Sequence, residues 1–235
     1  MATEGILIVG VGGLGVPALW ALARAGARRL TLVDPDPVEL SNLARQVILR
    51  TSDIGTSKVE AAARWLAERF PDVKVERHAV ALDVSNAARL IAANNFVIDA
   101  TDSPAAKFLI NDTCIASRTP FVYGGVVGMT GQAMTVIPSV SACIRCVFET
   151  PPDEAEIQSC REAGIVGPVA GAIGEMQAGE AMRALRAQTF LLPGKILTYD
   201  ASGTSRVRIA EVSPRPGCNC GAWQHEHHDS LGHGR

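Results

Sequence analysis

The sequence predicts an α/β fold, a Rossmann-like doubly wound, mostly parallel sheet continued by antiparallel strands. Three observations predict it. Short apolar runs alternate with Ala/Leu-rich helical segments through the first half of the chain. The first run, ILIVG at 6–10, lacks polar alternation, as expected for a strand covered on both faces. It leads straight into a glycine-rich turn, GVGGLG at 10–15, that opens a helix.

The elements follow in order. Residues 14–26 read as a helix closed by Gly26. LTLVD at 30–34 is the next buried strand, and KVEAAARWLAERF at 58–70 is a helix stopped by Pro71. VKVERHA at 73–79 alternates as a strand containing His78, and FVID at 96–99 is a fourth strand. PAAKFLINDTCIAS at 104–117 is a helix that buries Cys114 as core. PFVYGGV at 120–126 is a fifth strand, and GQAMTVIP at 131–138 is its antiparallel neighbour. Residues 139–167 read as a long loop and 168–187 as a helix with small residues on one face. ILTYD at 196–200 and SRVRIAEV at 205–212 read as paired strands. One domain is expected over 1–221, and 222–235, with no apolar periodicity, read as a disordered tail.

Composition narrows the functions. The chain has 235 residues, with 22 Lys+Arg against 24 Asp+Glu and a net charge of −2, which argues against nucleic-acid binding. No apolar run approaches the roughly 20 residues a membrane helix needs. The first residues lack the basic segment of an export signal, so a cytoplasmic, reduced protein is expected.

Five features carry chemistry. In GVGGLG, the glycines Gly10, Gly12 and Gly13 let the backbone approach phosphates at a helix N-terminus, and Asp34 closes the next strand, placed to accept from ribose hydroxyls. That pattern fits NAD and ATP alike. The polar stretch DPDPVELSNLARQ at 34–46, followed by IGTSK at 54–58, suits a triphosphate better. Its Arg45 and Lys58 supply two cations, against the alternative of an ordinary solvated loop. In DATDSPAAK at 99–107, Asp102 is placed to hold Mg²⁺ at the end of a strand, while Asp102 or Ser103 also suits a helix cap before Pro104. The cysteine pairs CIRC at 143–146 and CNC at 218–220 predict a structural tetrathiolate Zn²⁺ site from Cys143, Cys146, Cys218 and Cys220. A redox CxxC is set aside because Cys143 is expected to follow a loop and not to open a helix. Cys160, beside Arg161 in a polar loop, is a candidate nucleophile.

Together these segments resemble the MoeB/ThiF adenylyltransferases, relatives of the ubiquitin-activating enzymes. The likeness runs from about Ile6 to Gly221 and is carried by GVGGLG, Asp34, SNLARQ at 41–46, IGTSK, TDS at 101–103, CIRC, CREAGIVGPVAGAIGEMQA at 160–178 and PGCNCG at 216–221. The resemblance implies an enzyme that binds MgATP and the C-terminal Gly-Gly tail of a ubiquitin-like sulfur carrier. It would form an acyl-adenylate and release pyrophosphate, so that sulfur can be delivered to the activated carboxyl. By position, Ser41, Asn42 and Arg45 would line the nucleotide site with the glycines and Asp34. Arg45 and Lys58 would stabilise phosphate charge, and Asp102 with Ser103 would handle Mg²⁺ and nucleotide. Cys160 matches the cysteine that some members use in sulfur or thioester chemistry. A homodimer is the family expectation. The chain departs from the pattern in having few residues before the first strand, where relatives carry a helix with an arginine directed at the partner's ATP. It departs also in CNC for CxxC and in Ser103 for the common Asn. Two other readings stand beside this one: a non-catalytic carrier-binding member, and an NAD-dependent oxidoreductase, which Asp34 permits.

Overall fold

The structure is a computed structural model and describes residues 5–151, 164–203 and 206–220. Cys160, Gly221 and the 222–235 segment lie outside them. One eight-stranded sheet organises the chain, in the order β3-β2-β1-β4-β5-β6-β7-β8. The strands are β1 (Ile6–Val9), β2 (Arg29–Val33), β3 (Lys74–His78), β4 (Phe96–Asp99), β5 (Phe121–Val127), β6 (Thr130–Val136), β7 (Lys195–Asp200) and β8 (Val207–Glu211). The pairs from β3 to β5 are parallel, and those from β5 to β8 are antiparallel. The helices are α1 (Gly15–Arg24), α2 (Lys58–Arg69), α3 (Ala87–Ala92), α4 (Pro104–Ser117), α5 (Ile144–Val147) and α6 (Gly167–Leu185).

The unbroken apolar run of β1 has a direct cause. Ile6 and Ile8 face one core, with Leu19, Leu22, Leu32 and Ile173, while Leu7 and Val9 face the other, with Leu90, Val97, Ile110 and Phe121. Side chains alternate across a strand, so a sheet covered on both sides needs apolar residues at every position. Ile6, Leu7 and Ile8 are wholly buried. Each such side chain stabilises by about 1.5–3 kcal/mol relative to exposure. That makes β1 a rigid base for the turn after it, in contrast to the exposed edge strand β8.

Helix ends follow local chemistry. Past the C-cap Ala25, the amide of Ala27 bonds Leu22 O at 3.0 Å and that of Gly26 bonds Ala23 O at 3.2 Å, a Schellman closure. At α4, Ser103 caps the helix by accepting from the amide of Ala106 at 3.3 Å, with Pro104 in the first turn. Of the two capping candidates, Ser103 is therefore the one used.

Two helices were not expected. α3 fills an unassigned stretch before β4 and buries Ala87, Leu90 and Ile91. At six residues it is too short to show a helical period. α5 lies within the expected loop of 139–167, and Cys143 is its N-cap residue. The expectation that Cys143 does not open a helix is thus corrected: it opens a single turn.

Candidate active site and metal centre

Chain order reverses between β1 and β4, and the crevice at the C-terminal ends of such strands is where open α/β sheets bind ligands. The glycine turn lies there because nothing else fits. Gly10 has φ +93°, and a Cβ on it would stand 2.6 Å from Ala100 O, in the segment leaving β4. A Cβ on Gly15 would overlap the carbonyl of Gly10, so Gly15, a residue not singled out from sequence, is as constrained as its neighbours. Gly12 and Gly13 differ. A Cβ at Gly13 would meet only Ala170 Cβ at 3.6 Å and Arg45 Cδ at 3.7 Å, and one at Gly12 only Gln46 Nε2 at 4.0 Å. These two glycines leave space above the first turn of α1, where amides lack intrahelical partners.

Asp34 fastens this turn. Its Oδ2 accepts the amide of Val11 at 2.7 Å and its Oδ1 that of Asp36 at 2.9 Å. Burial pushes its carboxyl above the usual range, and the ammonium of Lys58, 3.9 Å from Oδ1, and the two amides only partly offset that. A carboxylate offers about four lone-pair sites, so two remain for a ribose hydroxyl.

Lys58 stands in the first turn of α2 and is 7% exposed. Its Nζ lies 2.7 Å from Asp36 Oδ2. Asp36, which sequence reading passed over, is therefore the direct partner of this cation. The SNLARQ stretch is not a solvated loop. Asn42 and Gln46 are buried, and residues Leu40–Asn42 form a 3-10 turn closed by Asn42 Oδ1, which accepts the amide of Glu39 at 3.1 Å. Ser41 is exposed and donates its hydroxyl to Glu39. Asn42 thus shapes the loop. Arg45 is carried across Gly13, between it and Gly167 at the start of α6, with its Nη1 donating to Ser41 O at 3.0 Å.

Two buried polar atoms on side chains that border this turn have no hydrogen-bond partner: Arg45 Nε and Gln46 Oε1. Buried polar groups are nearly always satisfied, so orphans gathered beside a glycine turn mark a place where a polar ligand belongs. Asp102 sits past Ala100 and Thr101, which pack against Gly10. Its carboxylate is exposed and takes no bond from the described residues. An unengaged carboxylate at the ligand-binding end of the sheet suits Mg²⁺, which takes one or two carboxylates plus phosphate oxygens. The structure thus places Gly10, Gly12, Gly13, Asp34, Arg45, Lys58 and Asp102 on one sheet edge. The two cations, however, are turned onto protein acceptors.

A second cluster lies apart from this edge. The sulfurs of Cys143, Cys146, Cys218 and Cys220 all lie within 4.8 Å of one another. The close pairs are Cys143–Cys218 at 3.6 Å, Cys146–Cys220 at 3.7 Å and Cys143–Cys146 at 3.9 Å. Tetrahedral Zn²⁺ with bonds of about 2.3 Å puts its sulfurs roughly 3.8 Å apart, so the donor set fits zinc. Burial, with the three neighbouring thiols, pushes the Cys143 thiol far up, and a divalent cation is what would let it ionise. Four converging sulfurs, rather than the absence of a helix, are what set the redox pair aside. Arg215 donates its amide to Cys146 Sγ at 3.3 Å, and Asn111 on α4 accepts the amide of Ile144 at 3.0 Å. Cys114 is fully buried, in keeping with a packing role.

The ThiF family profile matches residues 2–221. The SAMP-activating enzyme E1 of Haloferax volcanii is 39% identical over 196 residues, covering 83% of this chain and 72% of that protein. The adenylyltransferase and sulfurtransferase MOCS3 of Drosophila yakuba is 36% identical over 219 residues, covering 93% of this chain. The chain spans 48% of that relative's length. Among solved structures, E. coli MccB with MccA-N7isoASN superposes with a TM-score of 0.81 at 19% identity, over 94% of this chain and 67% of that one. At that identity the likeness shows the fold. No helix among the described residues is long and apolar enough to cross a membrane.

Proposed function

This chain belongs to the ThiF family, and on that premise we propose that it is an ATP-dependent adenylyltransferase acting on the C-terminal carboxylate of a ubiquitin-like sulfur carrier. The carrier's carboxylate attacks the α-phosphate of ATP, pyrophosphate leaves, and an acyl-adenylate remains for sulfur to displace. Activation is needed because a free carboxylate would have to expel hydroxide, a poor leaving group. Both reactants are anions. Arg45 and Lys58 offset their repulsion and hold them in line, the glycine turn receives the phosphates, and Asp34 takes the ribose. Lys58 reaches phosphate by giving up Asp36. Asp102 would hold Mg²⁺ at this edge, and the ion would supply neutralisation of the charge on the leaving pyrophosphate. Ser103 supports this from the helix cap. The four cysteines hold structural Zn²⁺, and Cys160 supplies a thiol for sulfur handling. The working form is a cytoplasmic homodimer.

One observation carries this reading: the unpartnered Arg45 Nε and Gln46 Oε1 belong to side chains that border Gly13 and Gly12, in a chain whose curated relatives include named adenylyltransferases. An NAD-dependent oxidoreductase is not favoured, since it leaves Arg45, Lys58 and those relatives unexplained. A carrier-binding member without chemistry is likewise not favoured. The test is ATP–pyrophosphate exchange with labelled pyrophosphate and a Gly-Gly carrier. Carrier-dependent exchange is expected, and NAD binding without ATP binding would overturn the proposal.

A further inference from the structure

We infer that Lys107 is a positioning residue: with Asp99 it locks the segment between β4 and α4 and so fixes where Asp102 presents its carboxylate. Asp99 ends β4 and is completely buried. Its pairing with Tyr123 is the last register position between β4 and β5, so the two strands part just there. Lys107 Nζ fills the opening. It lies 3.3 Å from each Asp99 carboxylate oxygen, 2.5 Å from Gly124 O and 4.7 Å from the centre of the Tyr123 ring. Gln177 on α6 closes the gap from the other side, its Nε2 donating to Asp99 O at 2.7 Å and to Val122 O at 3.3 Å.

The consequence is local. Asp99 Oδ1 accepts from the amide of Thr101 at 3.1 Å and from its hydroxyl at 2.8 Å. Ala100 is held against Gly10, and Ser103 is committed to capping α4. Asp102 is thus fixed by the residues on both sides, while its own carboxylate stays unengaged. The charge on Asp99 would be uncompensated in the interior without Lys107, because no other cation pairs with it among the described residues. Lys107 is also spoken for. Its contacts are with the protein, so it acts through Asp102 and not on a ligand.

The functional half of this inference rests on the nucleotide reading above; the structural half does not. Removing Lys107 alone strands a buried carboxylate, so the informative variant is the charge-free double substitution Asp99→Asn/Lys107→Met, with Lys107→Arg as the conservative control. Amide hydrogen exchange of Thr101 is measured on the full chain, together with the Mg²⁺ concentration giving half-maximal ATP–pyrophosphate exchange. In the double variant, the Thr101 amide is expected to exchange about tenfold faster or more, as a locally opened turn does. The Mg²⁺ midpoint is expected to rise about tenfold, since hard-cation affinity follows ligand placement. Lys107→Arg should stay near the unsubstituted chain in both. Unchanged amide protection overturns the inference, and so does faster amide exchange with an unmoved Mg²⁺ midpoint. If the unsubstituted chain catalyses no exchange, the nucleotide reading fails by itself, and amide protection still decides whether Lys107 sets the turn.

Discussion

Asp34 Oδ2 accepts the amide of Val11 at 2.7 Å, so the carboxylate that closes β2 also fastens the first peptide of the glycine turn. This bond links two strands' ends through one buried charge, and it has a cost with a definite pH dependence. Burial raises the Asp34 pKa above its ordinary 3.8 despite Lys58. The folded state then holds its proton more tightly than the unfolded chain does. The stabilisation tied to that proton is fully present below pH 3.8 and is lost as pH rises through the folded value. Melting temperatures of the native chain and of Asp34→Asn, compared from acid to neutral pH, should show the native chain losing ground to the variant as pH rises. A native chain that gains on the variant over that range would show that Lys58 outweighs burial.

Gly13 and Gly15 separate ligand space from fold. A methyl at Gly13 makes ordinary contacts of 3.6–3.7 Å, whereas one at Gly15 overlaps the Gly10 carbonyl. Gly13→Ala should therefore melt within a few degrees of the native chain yet, on the proposed nucleotide reading, bind ATP about tenfold more weakly, because the methyl would enter the space that reading gives to phosphate. Gly15→Ala should instead cost about 2 kcal/mol or more in stability, as overpacking does. Calorimetric ATP titration alongside thermal melts distinguishes the two. Equal ATP affinity in Gly13→Ala would move the phosphates away from this turn.

Lys58 pairs with Asp36 at 2.7 Å and stands 3.9 Å from the buried Asp34. Lys58→Met leaves these carboxylates without their cation and should destabilise by about 2 kcal/mol. It should also lower exchange by about 10²–10³, the usual effect of losing one preorganised stabiliser of transition-state charge. Asp36→Asn releases the lysine without removing it and should retain exchange. Steady-state rates well below each variant's melting temperature check both. Loss of exchange in Asp36→Asn as large as in Lys58→Met would mean that the pair works as a fixed unit and Lys58 never reaches phosphate.

The legible parts of this fold share a physical reason. β1 and β4 sit between two cores, so their sequences are apolar at every position and easily read. α4 carries its own start signal in Ser103-Pro104. The glycine turn, Asp34, Arg45 and Lys58 were legible because their types are rare in such a context and their spacing follows strand ends. What was missed depends on contacts between distant segments. Lys107 is an ordinary helical lysine until Asp99 and Gly124 are seen beside it. Asp36 looks like another acid in a polar loop, and Gln46 gives no hint of burial at 1% exposure. α3 has too few residues to show a period, and α5 is a single turn whose cap is a cysteine expected in a loop.

The cysteine cluster fixes more than its own loop. Arg145, inside the first cysteine pair, donates its Nε to Asp112 Oδ1 and its Nη2 to Oδ2, both at 2.7 Å, and lies 4.8 Å over the ring of Phe108. With the Ile144–Asn111 bond, these contacts dock the cluster on α4, the helix that carries Lys107. The purified chain should hold about one zinc, as a tetrathiolate site does. A strong chelator should remove it and lower the melting temperature. A loss of about 3 kcal/mol would correspond to roughly 6–12 °C for a chain of this size. Cys143→Ser should lose both the metal and a comparable part of the stability, because Cys143 is buried and touches two of the other sulfurs. Metal analysis and calorimetry on the same samples check this. A metal-free chain that melts like the untreated one would reduce the cluster to four reduced thiols packed for shape.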